Sequence, residues 1–188
     1  GILLALGRRS KMTVIRVLCV AFIELFRSVP LITILFMATT MFPLFLPEGF
    51  HINKLASAIV AVCLFAAAYM AEVVRGGLQA IPKGQYEAAE AVGLTYWQSM
   101  GFIVMPQALK YMIPNIVSNF MGLFKDTTLV SIIGLYDLLG MINAVSQDPR
   151  WIGLHHEPLF TAAVIFFIGC FAMSKYSQYL ERNLGAGH

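Results

Sequence analysis

The chain has 188 residues, 59% of them hydrophobic and only 12% charged, with a mean hydropathy of +0.75 and a net charge of +3. Soluble domains carry roughly 25% charged residues, so the composition excludes a solvated globular domain and points to a membrane protein. No basic, aromatic-interleaved stretch suggests nucleic acid, and no glycine-rich loop ending in Lys-Ser/Thr suggests a bound nucleotide phosphate.

In chain order, Gly1 is not an initiator methionine, and residues 2–6 read as the tail of an apolar segment. The chain is therefore expected to be a fragment lacking its N-terminus, with a truncated first helix. The next span covers residues 17–46, too long for one straight crossing of a bilayer core that takes about 20 residues. It carries Glu24 and Arg27, then Pro30, and residues 29–46 alone form an uncharged run of 18. A helix bent or broken near Pro30 is expected, because proline removes a backbone donor.

Residues 55–71 make a second, alanine-rich span, where Ala67 and Ala71, four apart, favour close helix packing. The polar-mixed stretch 78–117 follows. Pro82 suits a first helical turn, residues 85–92 (QYEAAEAV) are helix formers, Gly93 is a helix stop and Thr95 can cap a second helix from Tyr96. Residues 111–136 form a third span interrupted by Lys125 and Asp126, and residues 158–174 a fourth. With the truncated first helix, about five crossings result, an all-α polytopic membrane helix bundle. Between the last two spans, residues 138–144 predict a short helix, and Trp151 is expected to anchor at an interface.

Lys and Arg counts orient the bundle. Arg8, Arg9, Lys11, Arg16, Arg75, Lys83, Lys110, Lys175 and Arg182 fall on one side, nine in all, against Lys54 and Arg150 on the other. The loop holding residues 85–101 and the C-terminus are thereby expected in the cytoplasm.

Glu24 and Arg27, three apart, can pair on one helix face. Lys125 and Asp126 are the costly residues, since a charge at a membrane helix centre costs about 2.5–3.5 kcal/mol on the insertion scale and marks a functional position. On helical spacing Asn115, Asn119, Gly122 and Asp126 share a face. A structural ion network among Glu24, Arg27, Lys125 and Asp126 is the alternative. Cys19, Cys63 and Cys170 sit in apolar runs without metal spacing, and His155, His156 and Glu157 lack a second ligand cluster. No metal, cofactor or enzyme site is expected.

Glu87-Ala88-Ala89, then Gly93, Ile103, Met105 and Pro106, resembles the EAA loop of ATP-binding-cassette (ABC) importer permeases, whose usual form is E-A-A, three residues, G, nine residues, I, one residue, L-P. Met105 stands where Leu is usual. ELFRSVPL at 24–31 and LFKDTTL at 123–129 are similar to the polar amino-acid subgroup of glutamine, histidine and arginine type.

The resemblance implies a type I permease fold in a single transmembrane domain of the bacterial inner membrane, with residues 83–106 as a coupling loop. It implies that Gln85, Glu87, Ala88, Ala89, Glu90, Ala91, Gly93 and Pro106 serve coupling to a cytoplasmic ABC ATPase dimer. A second permease, identical or homologous, a periplasmic amino-acid-binding protein and the lipid bilayer complete the implied partners. Glu24, Arg27, Asn119, Gly122, Lys125, Asp126 and Thr128 are the candidate substrate pathway. Asp126 suits a substrate ammonium, Lys125 or Arg27 a carboxylate, and Asn119 a hydrogen bond. An ABC permease for another small solute, or an ion-coupled secondary transporter, is the alternative.

Overall fold

Proline sets the first break in the chain. In a computed structural model that describes residues 1–47, 52–149 and 156–185, α1 (Ile2–Arg8) and α2 (Thr13–Ser28) are followed by a stop at Pro30, whose extended ψ of 143° ends the helical run. Helix α3 (Leu31–Phe36) then continues through a π turn, Met37–Met41, and a 3₁₀ turn, Phe42–Phe45. The break falls where the sequence predicts it. Arg150, Trp151 and His155 lie outside the described residues.

The long helix α4 (Lys54–Gln79) is succeeded by α5 (Lys83–Ala91), α6 (Tyr96–Ser99), a π turn at Met100–Val104 and α7 (Met105–Asp126). A 3₁₀ turn at Thr127–Ile133, α8 (Leu138–Ser146) and α9 (His156–Gly185) complete the order. Every regular element among the described residues is helical. By length and composition three stretches suffice to cross a membrane, Lys54–Gln79, Tyr96–Ile133 and His156–Asn183. A fourth is added if the bent pair Thr13–Ser28 and Leu31–Phe45 counts as one. The third span starts earlier than its charge-free length suggests, because helix α6, the π turn and α7 follow one another directly. Helix α8 matches the expected 138–144 helix and is capped by the Asp137 carboxylate, which accepts from the Leu139 and Gly140 amides.

The described residues form two compact units. In one, made of Gly1–Arg27, Ala67–Asn119 and the residues from Ser174 on, Ile23 of α2 and Ala71, Val74 and Leu78 of α4 pack with Met100, Val104, Ala108 and Met112. In the other, from Ser28–Ala66 and Phe120–Met173, Leu31 and Leu35 pack with Ala58, Ala61 and Ile133.

Alanine sets the packing distance of α4. Ala58, Ala61, Ala68 and Ala71 recur at helical spacing and are all buried, whereas Ala67 is only half-buried. The close-packed stripe thus keeps Ala71 of the expected pair and takes Ala68 in place of Ala67. Gly77, on another face of α4, is a second close approach: a Cβ there would collide with the Met112 side chain and lie 3.0 Å from the Ala108 carbonyl oxygen. Gly76 next to it has open space.

The two neighbours therefore give opposite results. Gly77→Ala should lower stability by about 1–3 kcal/mol through overpacking, and Gly76→Ala should raise it by up to about 1 kcal/mol through helix propensity. Thermal unfolding of the purified protein in detergent checks both.

Candidate functional site

The short helix α5 is built and stopped locally. Pro82, with φ −59° and ψ 140°, occupies the capping position just before Lys83 and lies one residue outside the helix. At the other end the Leu94 amide donates to the Ala89 carbonyl at 3.1 Å and the Gly93 amide to Glu90 at 2.9 Å. That pair of bonds is the Schellman arrangement, which needs a left-handed residue at its centre. Gly93 supplies it with φ +81°. A Cβ at Gly93 would meet nothing within 4 Å, so backbone conformation alone demands glycine.

The chain restarts at once. Thr95 accepts from the Gln98 amide, and the Gln98 side chain accepts from the Thr95 amide at 3.0 Å, a capping box that opens α6 at Tyr96. The helix, glycine turn and second helix expected from the sequence are all present.

Helix α5 rests against the π turn Met100–Val104. Ala89 is buried, and its small side chain lets α5 lie close. Glu87, Ala88, Glu90, Ala91, Gly93 and Pro106 are exposed, and Gln85 is half-buried. The Gln107 amide nitrogen donates to Gln85 Oε1 and to the Ile103 carbonyl, both at 3.0 Å, tying α5 to the start of α7. The next residue, Tyr86, donates its hydroxyl to the Leu78 carbonyl at 3.2 Å. Exposed apolar side chains that the sequence reading did not single out also project here, Val92 at 79%, Tyr96 at 55% and Trp97 at 70% exposure. The Tyr96-Trp97 pair directly after the Thr95 cap is their sequence signal.

A second constellation lies in the same unit. The Glu72 carboxylate receives Arg8 on Oε1 and Arg75 on Oε2 at 2.6 and 2.9 Å. Arg27 approaches Oε2 at 3.6 Å, and Arg8 also reaches Glu24 at 3.7 Å. Arg27 lies over the Tyr69 ring at 5.8 Å. The Glu72 side chain is only 15% exposed, so its charge depends on these guanidiniums. Glu24 and Arg27 thus belong to a wider cluster whose centre, Glu72, and whose members Arg8 and Arg75 were not anticipated. Three guanidiniums face two carboxylates.

The remaining predicted residues lie on and after α7. This helix is continuous to Asp126, so Asn115, Asn119, Gly122 and Asp126 keep the register of one stripe. Asn119 donates its amide to the Asn115 carbonyl at 2.8 Å. Lys125 is exposed and Asp126 half-buried, and neither forms an ion pair among the described residues. The helix tightens to 3₁₀ at Thr127, where the Thr127 and Thr128 hydroxyls donate to the Phe124 and Lys125 carbonyls at 2.8 and 2.9 Å. Among the described residues no group of three His, Cys, Asp or Glu is arranged to hold a metal.

Residues 1–185 match the family described as binding-protein-dependent transport system inner membrane component. The chain belongs to that family. It is 57% identical over 187 residues to the inner membrane amino-acid ABC transporter permease protein YhdY of Escherichia coli (strain K12), covering 100% of this chain and 51% of that protein. It is 55% identical over 189 residues to the glutamate/glutamine/aspartate/asparagine transport system permease protein BztC of Rhodobacter capsulatus, covering 100% of this chain and 44% of that protein. The chain spans about half the length of these curated relatives. The fold is similar to the crystal structure of an amino acid ABC transporter with histidines, with a TM-score of 0.83 and 29% identity over 96% of this chain and 81% of that one. The all-α membrane architecture is therefore the type I importer permease fold, in a multi-pass inner-membrane protein.

Two substitutions test the site's construction. Gly93→Ala should cost about 1–2 kcal/mol at the left-handed turn, read as faster hydrogen exchange of the α5 amides. Glu72→Leu should lower the thermal midpoint, with a loss on the order of 3 kcal/mol, because it leaves three guanidiniums without their shared carboxylate.

Proposed function

We propose that this chain is the membrane-spanning permease of an ABC importer for amino acids, working by alternating access with ATP hydrolysed on a separate subunit. The observation that carries the reading is the α5-Gly93-α6 unit. It is fixed from behind by Gln85, Tyr86 and Ala89 and presents Glu87, Ala88, Glu90, Ala91, Val92 and Trp97 outward. A helix held this way moves as a rigid body when a partner grips its exposed face. The similarity to amino-acid permeases supports the substrate class.

In this reading residues 83–106 form the coupling loop of a single permease domain, and the excess of Lys and Arg supports a cytoplasmic location for it and for the C-terminus. An ATPase dimer grips the loop, a second permease completes the pathway and a periplasmic binding protein delivers the amino acid. ATP binding closes the ATPase dimer, draws the coupling helices together and opens the permease outward. Asn119, Glu24 and Arg27 of one unit, and separately Gly122, Lys125, Asp126 and Thr128 of the other, are the residues assigned to substrate passage in this reading. The position of the half-buried Asp126 carboxylate within an apolar span supports its role toward a substrate ammonium.

Reconstitution tests this. Proteoliposomes hold the full-length permease, its partner permease and its ATPase, with ATP inside and binding protein plus all twenty amino acids outside. Accumulation should require ATP and vanish in Gly93→Pro although the complex still assembles. Asp126→Asn should lower uptake about tenfold or more, the scale of a hydrogen bond to a charged group, while ATPase activity stimulated by the binding protein persists. Uptake driven by an ion gradient and indifferent to ATP would overturn the reading.

A further inference from the structure

Adjacent residues on α5 reach different helices. Gln85 is tied to α7 through Gln107, whereas Tyr86 turns the other way, toward the end of α4. Leu78 is the penultimate residue of α4, so its carbonyl is one of the last four, which lack an intrahelical donor. The Tyr86 hydroxyl supplies that donor. The Tyr86 ring packs on the buried cluster of Ala71, Val74, Leu78 and Met100.

The same ring carries a second attachment. The Arg9 guanidinium lies 5.8 Å from its centroid, and Arg9 Nη1 donates to the Tyr86 hydroxyl at 3.5 Å. Arg9 directly follows the last residue of α1, Arg8, which grips Glu72 and Glu24. Glu72 and Leu78 lie six positions apart on α4. Two neighbouring arginines at the end of α1 therefore bridge the carboxylate of α4 and the tyrosine of α5, and Tyr86 closes the ring by its bond back to α4. The linkage combines a planar aromatic side chain with contacts to guanidiniums, which are directional where apolar packing is not.

We propose that Tyr86 is a positioning residue that gears α5 to α1 and α4, with Arg9 as its partner and the Arg8–Glu72 pair as the fixed end. Glu87, Ala88, Glu90 and Ala91 face outward for the partner, and Tyr86 faces inward to carry the movement. This inference rests on the importer reading above.

The test measures substrate accumulated and ATP hydrolysed in the same reconstituted sample. In Tyr86→Phe the ring remains and only the hydroxyl is lost, so transport per ATP should fall about two- to tenfold, the scale of one hydrogen bond. Complex yield should stay at the wild-type value. Arg9→Ala should lower the ratio, Arg9→Lys should restore part of it, and the Arg9→Ala/Tyr86→Phe double variant should be no worse than the poorer single variant.

An unchanged ratio in both Tyr86→Phe and Arg9→Ala overturns the proposal. So does a loss of uptake matched by an equal loss of assembled complex, which marks a structural role. If Tyr86→Phe does not assemble, the Arg9→Ala and Arg9→Lys pair decides by the same ratio. A wild-type complex that transports without ATP defeats the importer reading and this inference together. A tightly coupled wild type with equally coupled variants defeats the gearing role alone.

Discussion

One carboxylate holds three parts of the chain to each other. Glu72 on α4 is nearly buried and is met by Arg8 from α1, Arg27 from α2 and Arg75 from its own helix. In an apolar bundle such a charge stays only if it is compensated, and each guanidinium that compensates it brings its own helix along. The ends of α1 and α2 and the last turns of α4 are thereby fixed in one arrangement, and α5 hangs from that arrangement through Tyr86. Removing the carboxylate would leave like charges facing one another, so the cluster acts as a single unit.

The backbone is irregular where the side chains have work to do. Pro30 stops the first long helical run just after Arg27, so the cluster's second helix ends at the cluster itself. The π turn at Met100–Val104 lies under α5, and the Ile103 carbonyl within it gains the Gln107 side chain as a donor. After Asp126 the helix tightens to 3₁₀ and two threonine hydroxyls take up carbonyls of the preceding turn. In surroundings without water each departure from α geometry needs such a local partner.

The loop formed by α5, Gly93 and α6 combines rigidity behind with chemistry in front. Its ends are set by backbone bonds at Gly93 and Thr95, and its inner side by Ala89, Gln85 and Tyr86. Its outer side is a mixture of two carboxylates, two alanines and exposed Val92, Tyr96 and Trp97. Charged and aromatic groups around a low alanine centre suit a protein partner that needs close approach and fixed orientation.

Much of this was legible in the chain. The break at Pro30, the helix–Gly93–helix turn, the Thr95 cap and the helix after Asp137 all depend on residues within a few positions, where proline, glycine and capping side chains act through backbone geometry. The EAA spacing and the isolated charges at Lys125 and Asp126 are local for the same reason. Other features were decided only by tertiary structure. Arg8 and Glu72 are 64 residues apart and Arg9 and Tyr86 are 77 apart, and no periodicity links them. Which alanine of α4 is buried, Ala68 or Ala67, depends on how the helix is rotated against its neighbours. Sequence alone set where helices begin, end and bend; packing chose which of their charges meet.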